Sequence, residues 1–162
     1  VNKSIRISAT APDRYLGGMA ALNLPSPRGT GDWHMEQTFF RQRETRSRSF
    51  ISGKGCLTDT TDLLGQEGIY DCSQLLDELQ IEHEGPTYAA THARAIADLV
   101  LSAVLKDRKP DHLELDDWMP HDEDKQQVYR LLDKAVSRLD LKHQVDVNAW
   151  IVKQKQKGDS QL

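Results

Sequence analysis

Residues 87–106, TYAATHARAIADLVLSAVLK, decide the fold. Ala89, Ala93, Ile96, Val100 and Val104 recur at three- and four-residue steps, with Leu99 and Ala103 beside them. That is the stripe of a helix buried along a broad face, and its alanines let another helix approach closely. Pro86 fits a first turn, where its missing N–H has no intrahelical partner. The spacing predicts one helix from Thr87 to about Lys106, broken at 107–110 because Pro110 disfavours helix at Lys109.

Downstream, the same rhythm continues. Asp122, Glu123 and Asp124 favour the positive end of a helix running to about Leu139, with Val128, Leu131, Leu132, Ala135 and Leu139 inward. A further helix covers about Lys142 to Lys155 through Val147, Trp150 and Ile151. Between them, LELDDWMP (113–120) reads as an extended or turn-like piece. Upstream, Asp71-Cys72-Ser73-Gln74 resembles a capping box opening a short helix through Leu75, Leu76 and Leu79. Ile5 and Ile7 alternate with polar neighbours, as in a half-buried strand, and RSRSFI (46–51) reads as another. The expected fold class is α+β: a bundle of about four helices carrying a small N-terminal strand-and-loop layer. The 162 residues fit a single domain, with a basic, aromatic portion 1–70, an acidic helical portion 71–157 and a frayed tail 158–162.

Charge divides along the same line. Residues 1–54 hold nine Lys+Arg against four Asp+Glu, and residues 55–162 hold twelve against twenty-one, within a net charge of −4. Such asymmetry implies either separate faces for oppositely charged partners or an internal interface where the halves neutralise one another. The longest strongly apolar run, Ala95 to Leu105, is interrupted by Asp98 and Ser102, well short of the ~20 apolar residues of a membrane span. The N-terminus lacks the apolar run of a signal peptide. Cys56 and Cys72 are expected as free thiols in a reducing compartment, so the expected location is the cytoplasm. Val1 is what a GUG start codon gives when translated literally, and hints at a bacterial frame complete at its N-terminus.

The presented surface is expected within LNLPSPRGTGDWHMEQTFFRQRETRSR (22–48). Turn formers lead there into Trp33, His34, Phe39 and Phe40, then into an arginine comb of Arg41, Arg43, Arg46 and Arg48. Arginine and aromatic residues are the types enriched where proteins meet, so these eight residues are the candidate partner-binding set. The same comb suits phosphates, with rings available for base stacking, and a single-strand nucleic-acid binder stays open. Against that stand a pI of about 5.8 and the lack of any named nucleic-acid module.

Catalytic signals are thinner. Ser52-Gly53-Lys54-Gly55 fails the phosphate-loop pattern twice, and no glycine run matches a dinucleotide fingerprint. His34, Cys56, Cys72, His83, His92, His112, His121 and His143 show no zinc-ligand spacing, and Asp116, Asp117 and the 122–124 trio read as helix starts; no metal or other cofactor is expected. The strongest alternative is Tyr88, Thr91, His92 and Arg94 around one helix end, with His92 or His34 as an acid–base group on RNA or a nucleotide. The RxxxxH order of HEPN-type ribonucleases is not met, because Arg94 follows His92.

The segments NLPSPRGTGDWH (23–34), THARAIADLV (91–100) and LDDWMP (115–120) together resemble a set of uncharacterised bacterial proteins of toxin–antitoxin or defence gene pairs, found beside nucleotidyltransferase-like toxins. The resemblance spans about two-thirds of the chain. It implies a partner-binding role, as the neutralising member facing a cognate toxin, and brings no catalytic motif with it. The expectation is therefore a partner-binding protein in preference to an enzyme.

Overall fold

The computed structural model describes residues 4–26, 38–40 and 50–160. In chain order the strands are β1 (Arg6–Ile7), β2 (Arg14–Leu16), β3 (Ile51–Gly53), β4 (Ile69–Asp71), β5 (Glu82–His83) and β6 (Tyr88–Ala90). The helices are α1 (Gly18–Leu22), α2 (Thr61–Leu64), α3 (Ser73–Glu78), α4 (His92–Leu105), α5 (Leu115–Trp118), α6 (Asp122–Val136) and α7 (Leu141–Ser160). Strands and helices thus mix through residue 90, and the described residues form seven helices where about four were expected.

The decisive stretch divides in two. Near its start, Tyr88–Ala90 is one of the two inner strands of a sheet ordered β3-β2-β6-β4, parallel to β2 and antiparallel to β4. The backbone there is satisfied by distant partners. Thr10 Oγ1 accepts from the Tyr88 N–H (2.6 Å), and the Thr87 carbonyl accepts from the Cys72 N–H (2.8 Å). Only at Thr91 does the helix start, its Oγ1 accepting from the Arg94 N–H at 3.2 Å as an N-cap. Ala89 and Ala90 misled the helical reading because this strand is buried on both faces. Such strands read as apolar runs without alternation.

The pleat sorts residues between two cores. Tyr15 and Ala90 face a large cluster with Ile96, Val100, Leu101 and Val104 of α4, Val128 and Leu132 of α6, and Trp150 of α7. Leu16 and Ala89 face a smaller one with Ile7, Leu24, Phe39, Leu76 and Ile81. Each fully buried Val, Leu or Ile contributes about 1.5–3 kcal/mol, so α4, which packs on α1, α6 and α7, anchors the fold. The second core is closed at one side by β1 and β5, which pair in parallel.

Several boundaries differ from expectation. The capping box is not reciprocal: Asp71 Oδ1 accepts from the Ser73 N–H (2.9 Å), while the Gln74 amide reaches Glu78 instead. Of the extended and turn-like readings of 113–120, the structure takes the second, as a helical turn at Leu115–Trp118. Helix α7 is described as far as Ser160, and residues 161–162 of the expected tail lie outside the described residues. Of the strand expected at 46–51, residues 46–49 lie outside the described residues, and Ile51 opens β3.

Gly53 ties β3 to the loop before β2. Its φ is +116°, and a Cβ there would lie 2.1 Å from the Asp13 carbonyl oxygen. Gly53→Ala should therefore destabilise the protein by about 2–3 kcal/mol, from overpacking plus backbone strain. Thermal unfolding checks this, and a loss below about 0.5 kcal/mol would show that the turn relaxes freely.

Candidate functional site

A pocket of about 490 Å³ opens at the amino end of α4. Its walls come from five places in the chain: Pro25 and Ser26 after α1, Tyr70 on β4, Leu75 on α3, Thr91, His92 and Ala93 at the start of α4, and Met119, Asp124 and Gln127 around α6. The size and the mainly apolar walls with a few polar groups match those of small-ligand and side-chain sites. Pro25, Ser26, Thr91, His92, Ala93 and Met119 all line the pocket and come from the segments 23–34, 91–100 and 115–120, of which residues 27–34 lie outside the described residues.

His92 is the defining polar group. Its Nε2 lies 2.6 Å from the Leu24 carbonyl oxygen. A carbonyl can only accept, so Nε2 carries the proton and Nδ1 holds the lone pair of the neutral ring. Burial pushes the ring below the ordinary histidine range, against the opposing pull of the Leu24 hydrogen bond and the Asp124 charge. His92 is thus neutral near pH 7 and acts as an acceptor. Tyr70 stays a phenol, since burial raises it to about 12.

Arg94 takes no part in this pocket. Its side chain is fully buried on the opposite side of α4, inside a polar network. Nε donates to Asp98 Oδ1 at 2.8 Å, Nη1 to the Glu67 carbonyl at 2.5 Å and Nη2 to Thr60 Oγ1 at 3.0 Å. Asp98 also accepts from the Tyr15 and Thr60 hydroxyls, each at 2.5 Å. The Glu67 carbonyl reaches the guanidinium because Gly68 follows it: a Cβ there would sit 2.8 Å from Arg94 Cβ, and φ is +77°.

The sequence-based candidates are accordingly dispersed. Tyr88 is on β6, packed against the large core, and not on the helix opening. Thr91 caps α4 and His92 lines the pocket, but Arg94 points into the core, so these residues do not gather around one anion. Phe39, expected to face a partner, is fully buried against Phe50 with ring centroids 5.9 Å apart, and Phe40 packs on the same core. Trp33, His34, Arg41, Arg43, Arg46 and Arg48 lie outside the described residues.

Comparison of the chain with family models, curated proteins and solved structures finds no match. The site therefore has to be read from its own chemistry.

Among the described residues no three His, Cys, Asp or Glu side chains gather to hold a metal ion. Asp116 forms an ion pair with Lys125 instead. Cys56 and Cys72 are free thiols, and burial raises Cys72 to about 12, so it is an inert thiol inside the core. Among the described residues no helix is long and apolar enough to cross a membrane. Sequence reasoning missed Tyr70, Leu75, Met119 and Gln127. The one local signal was that Asp124 and Gln127, three apart on α6, share a helix face.

Proposed function

We propose that this chain is a partner-binding protein of a bacterial gene pair, acting in the cytoplasm as the neutralising member against a cognate toxin. Its pocket at the start of α4 receives an apolar, N–H-bearing side chain such as tryptophan from that partner. One observation carries binding over catalysis: the pocket has apolar walls and a neutral acceptor imidazole, while Arg94, the cation that phosphate chemistry needs, is consumed in the core. An indole fits such walls and can donate its N–H to an acceptor. Aromatic anchors in desolvated pockets are where binding energy concentrates, often ≥2 kcal/mol for one residue. The gene-pair role is supported by the resemblance of the three segments that supply pocket walls.

The test uses the full chain. Indole should shift amide resonances of residues 91–93 and 124–127 in a saturable titration. Gln127 is exposed at the pocket's edge, so Gln127→Trp should block the mouth and leave the fold intact. It should weaken capture of the co-purifying partner at least tenfold, the equivalent of about 1.4 kcal/mol. Undiminished capture with unchanged thermal stability would reject the pocket as the docking point.

A second reading, acid–base chemistry on RNA or a nucleotide, draws on the His92 tautomer, since a neutral ring with a free lone pair can act as a base. The described pocket lining holds no Lys or Arg, so phosphate contacts would then have to come from beyond it. Turnover of RNA by the wild type and its loss in His92→Phe would favour that reading over the first.

A further inference from the structure

Building on the pocket as the binding site, we infer that His83 controls its shape, holding α3 in place while doubly protonated and releasing it on deprotonation. The imidazole sits on β5 with its side chain only 13% exposed. Nδ1 lies 2.7 Å from the Gly85 carbonyl oxygen, and Nε2 lies 2.7 Å from Asp77 Oδ1. The nearest atom to each nitrogen is an acceptor, a carbonyl and a carboxylate, while the Thr87 hydroxyl lies farther from Nδ1 at 3.3 Å and donates to the same Gly85 carbonyl, so both ring nitrogens donate. Only the imidazolium can do so.

Asp77 is on α3, two residues from Leu75, which forms a pocket wall. The other arm holds the turn 85–87. The Thr87 hydroxyl donates to the same Gly85 carbonyl (2.9 Å), and Ser73 Oγ at the start of α3 accepts from the Thr87 N–H (2.9 Å). That turn leads into β6 and then to Thr91 and His92 on the far wall. One cation therefore spans α3 and the turn, the two pieces between which the pocket's Leu75 and His92 are spaced.

The charges around the ring favour the cation. Asp77 faces it from α3, Asp71 from the residues preceding α3, and Glu82 and Glu84 flank it along the chain. Arg6 on β1 lines the same cleft, 3.9 Å from Glu84, which offsets it. The Gly85 hydrogen bond first, and Asp77 next, hold His83 above the ordinary histidine range. A raised folded-state value means the clasp is fully formed below about pH 6.5 and is lost as pH rises through the folded value. On losing its proton the ring presents a lone pair to an acceptor, and one arm opens.

Three readouts on the full chain test this at pH 6 and pH 9: the imidazole resonances of His83, amide-exchange protection factors across α3, and indole affinity. Wild type should lose α3 protection and bind indole several-fold more weakly at pH 9. His83→Gln and Asp77→Asn should each make both quantities independent of pH. If His83 titrates at or below the ordinary histidine value, or α3 protection is the same at both pH values, the clasp is refuted. Equal indole affinity at both pH values despite a loosened α3 overturns the control of the pocket. Failure of indole to bind at any pH, with α3 protection still following His83, rejects the pocket reading while supporting the clasp.

Discussion

Asp98→Ala is expected to destabilise the protein by about 3–5 kcal/mol, a large part of the ~5–15 kcal/mol available to a domain. The carboxylate is fully buried and accepts from Arg94, Tyr15 and Thr60. Removing it leaves a guanidinium with no counter-ion in the core, held only by the Glu67 carbonyl and two hydroxyls. The isolated charge, not the missing bonds, is the main cost. A comparison separates the two effects. Arg94→Met together with Asp98→Leu removes both charges and keeps apolar volume, so the pair should cost clearly less than Asp98→Ala alone. Urea unfolding of the three variants measures the difference as free energies at matched slopes. A loss under about 1 kcal/mol for Asp98→Ala would mean that water enters and solvates Arg94, and that the network does not unite β2, the α2 cap and α4. The i,i+4 spacing of Arg94 and Asp98 is visible in the sequence, but spacing alone does not say that the pair is buried. Its burial follows from Tyr15 and Thr60, neither of which is near in the chain.

That contrast runs through the whole molecule. Helices α4, α6 and α7 were legible because each carries a local 3.6-residue rhythm: Ile96, Val100 and Val104, then Val128, Leu132 and Ala135, then Val147, Trp150 and Ile151 are buried as the spacing requires. The strand β6 was not legible. Its Ala89 and Ala90 have no β-branching and no alternation, and the pairing of Leu16, Tyr70 and Ile69 with them is set by tertiary contacts alone. Alternation around Ile5 and Ile7 did mark β1, whereas β5, two residues long, is too short for any period to register. At the site, the His92 signal was real but its context was misread. The helix begins at His92 and not five residues earlier at Thr87, so Tyr88 moves onto the sheet and Arg94 turns into the core. The pocket itself could not be read from sequence, because its walls come from separate segments between Pro25 and Gln127. Phe39 was placed on the surface by its arginine-rich neighbourhood, yet its ring volume found the second core.

Trp150→Ala should cost about 3–5 kcal/mol, comparable to the loss at Asp98 but through a different route. The indole is 2% exposed and packs in the large core, so truncation leaves a cavity that the helices cannot fully collapse. The Trp150 N–H also donates to the Leu113 carbonyl at 3.0 Å, which Gln154 shares through its Nε2 at 3.2 Å. Gln154 Oε1 accepts in turn from the Leu115 N–H at 3.1 Å. One turn of α7 thus satisfies the backbone on both sides of Glu114, where α5 begins. Trp150→Phe keeps most of the volume and leaves Leu113 its Gln154 partner, so it should cost only about 1–2 kcal/mol. Val152→Ala, on the half-exposed outer face of the same helix, should stay within about 0.5 kcal/mol. The segment fixed by α7 ends at Met119, a pocket wall, which carries the effect to the site. At a temperature where Trp150→Ala remains folded, indole should bind it more weakly than wild type, while Val152→Ala binds normally. Equal binding by both variants would show that α5 positions Met119 without help from α7, and would confine the role of Trp150 to the core.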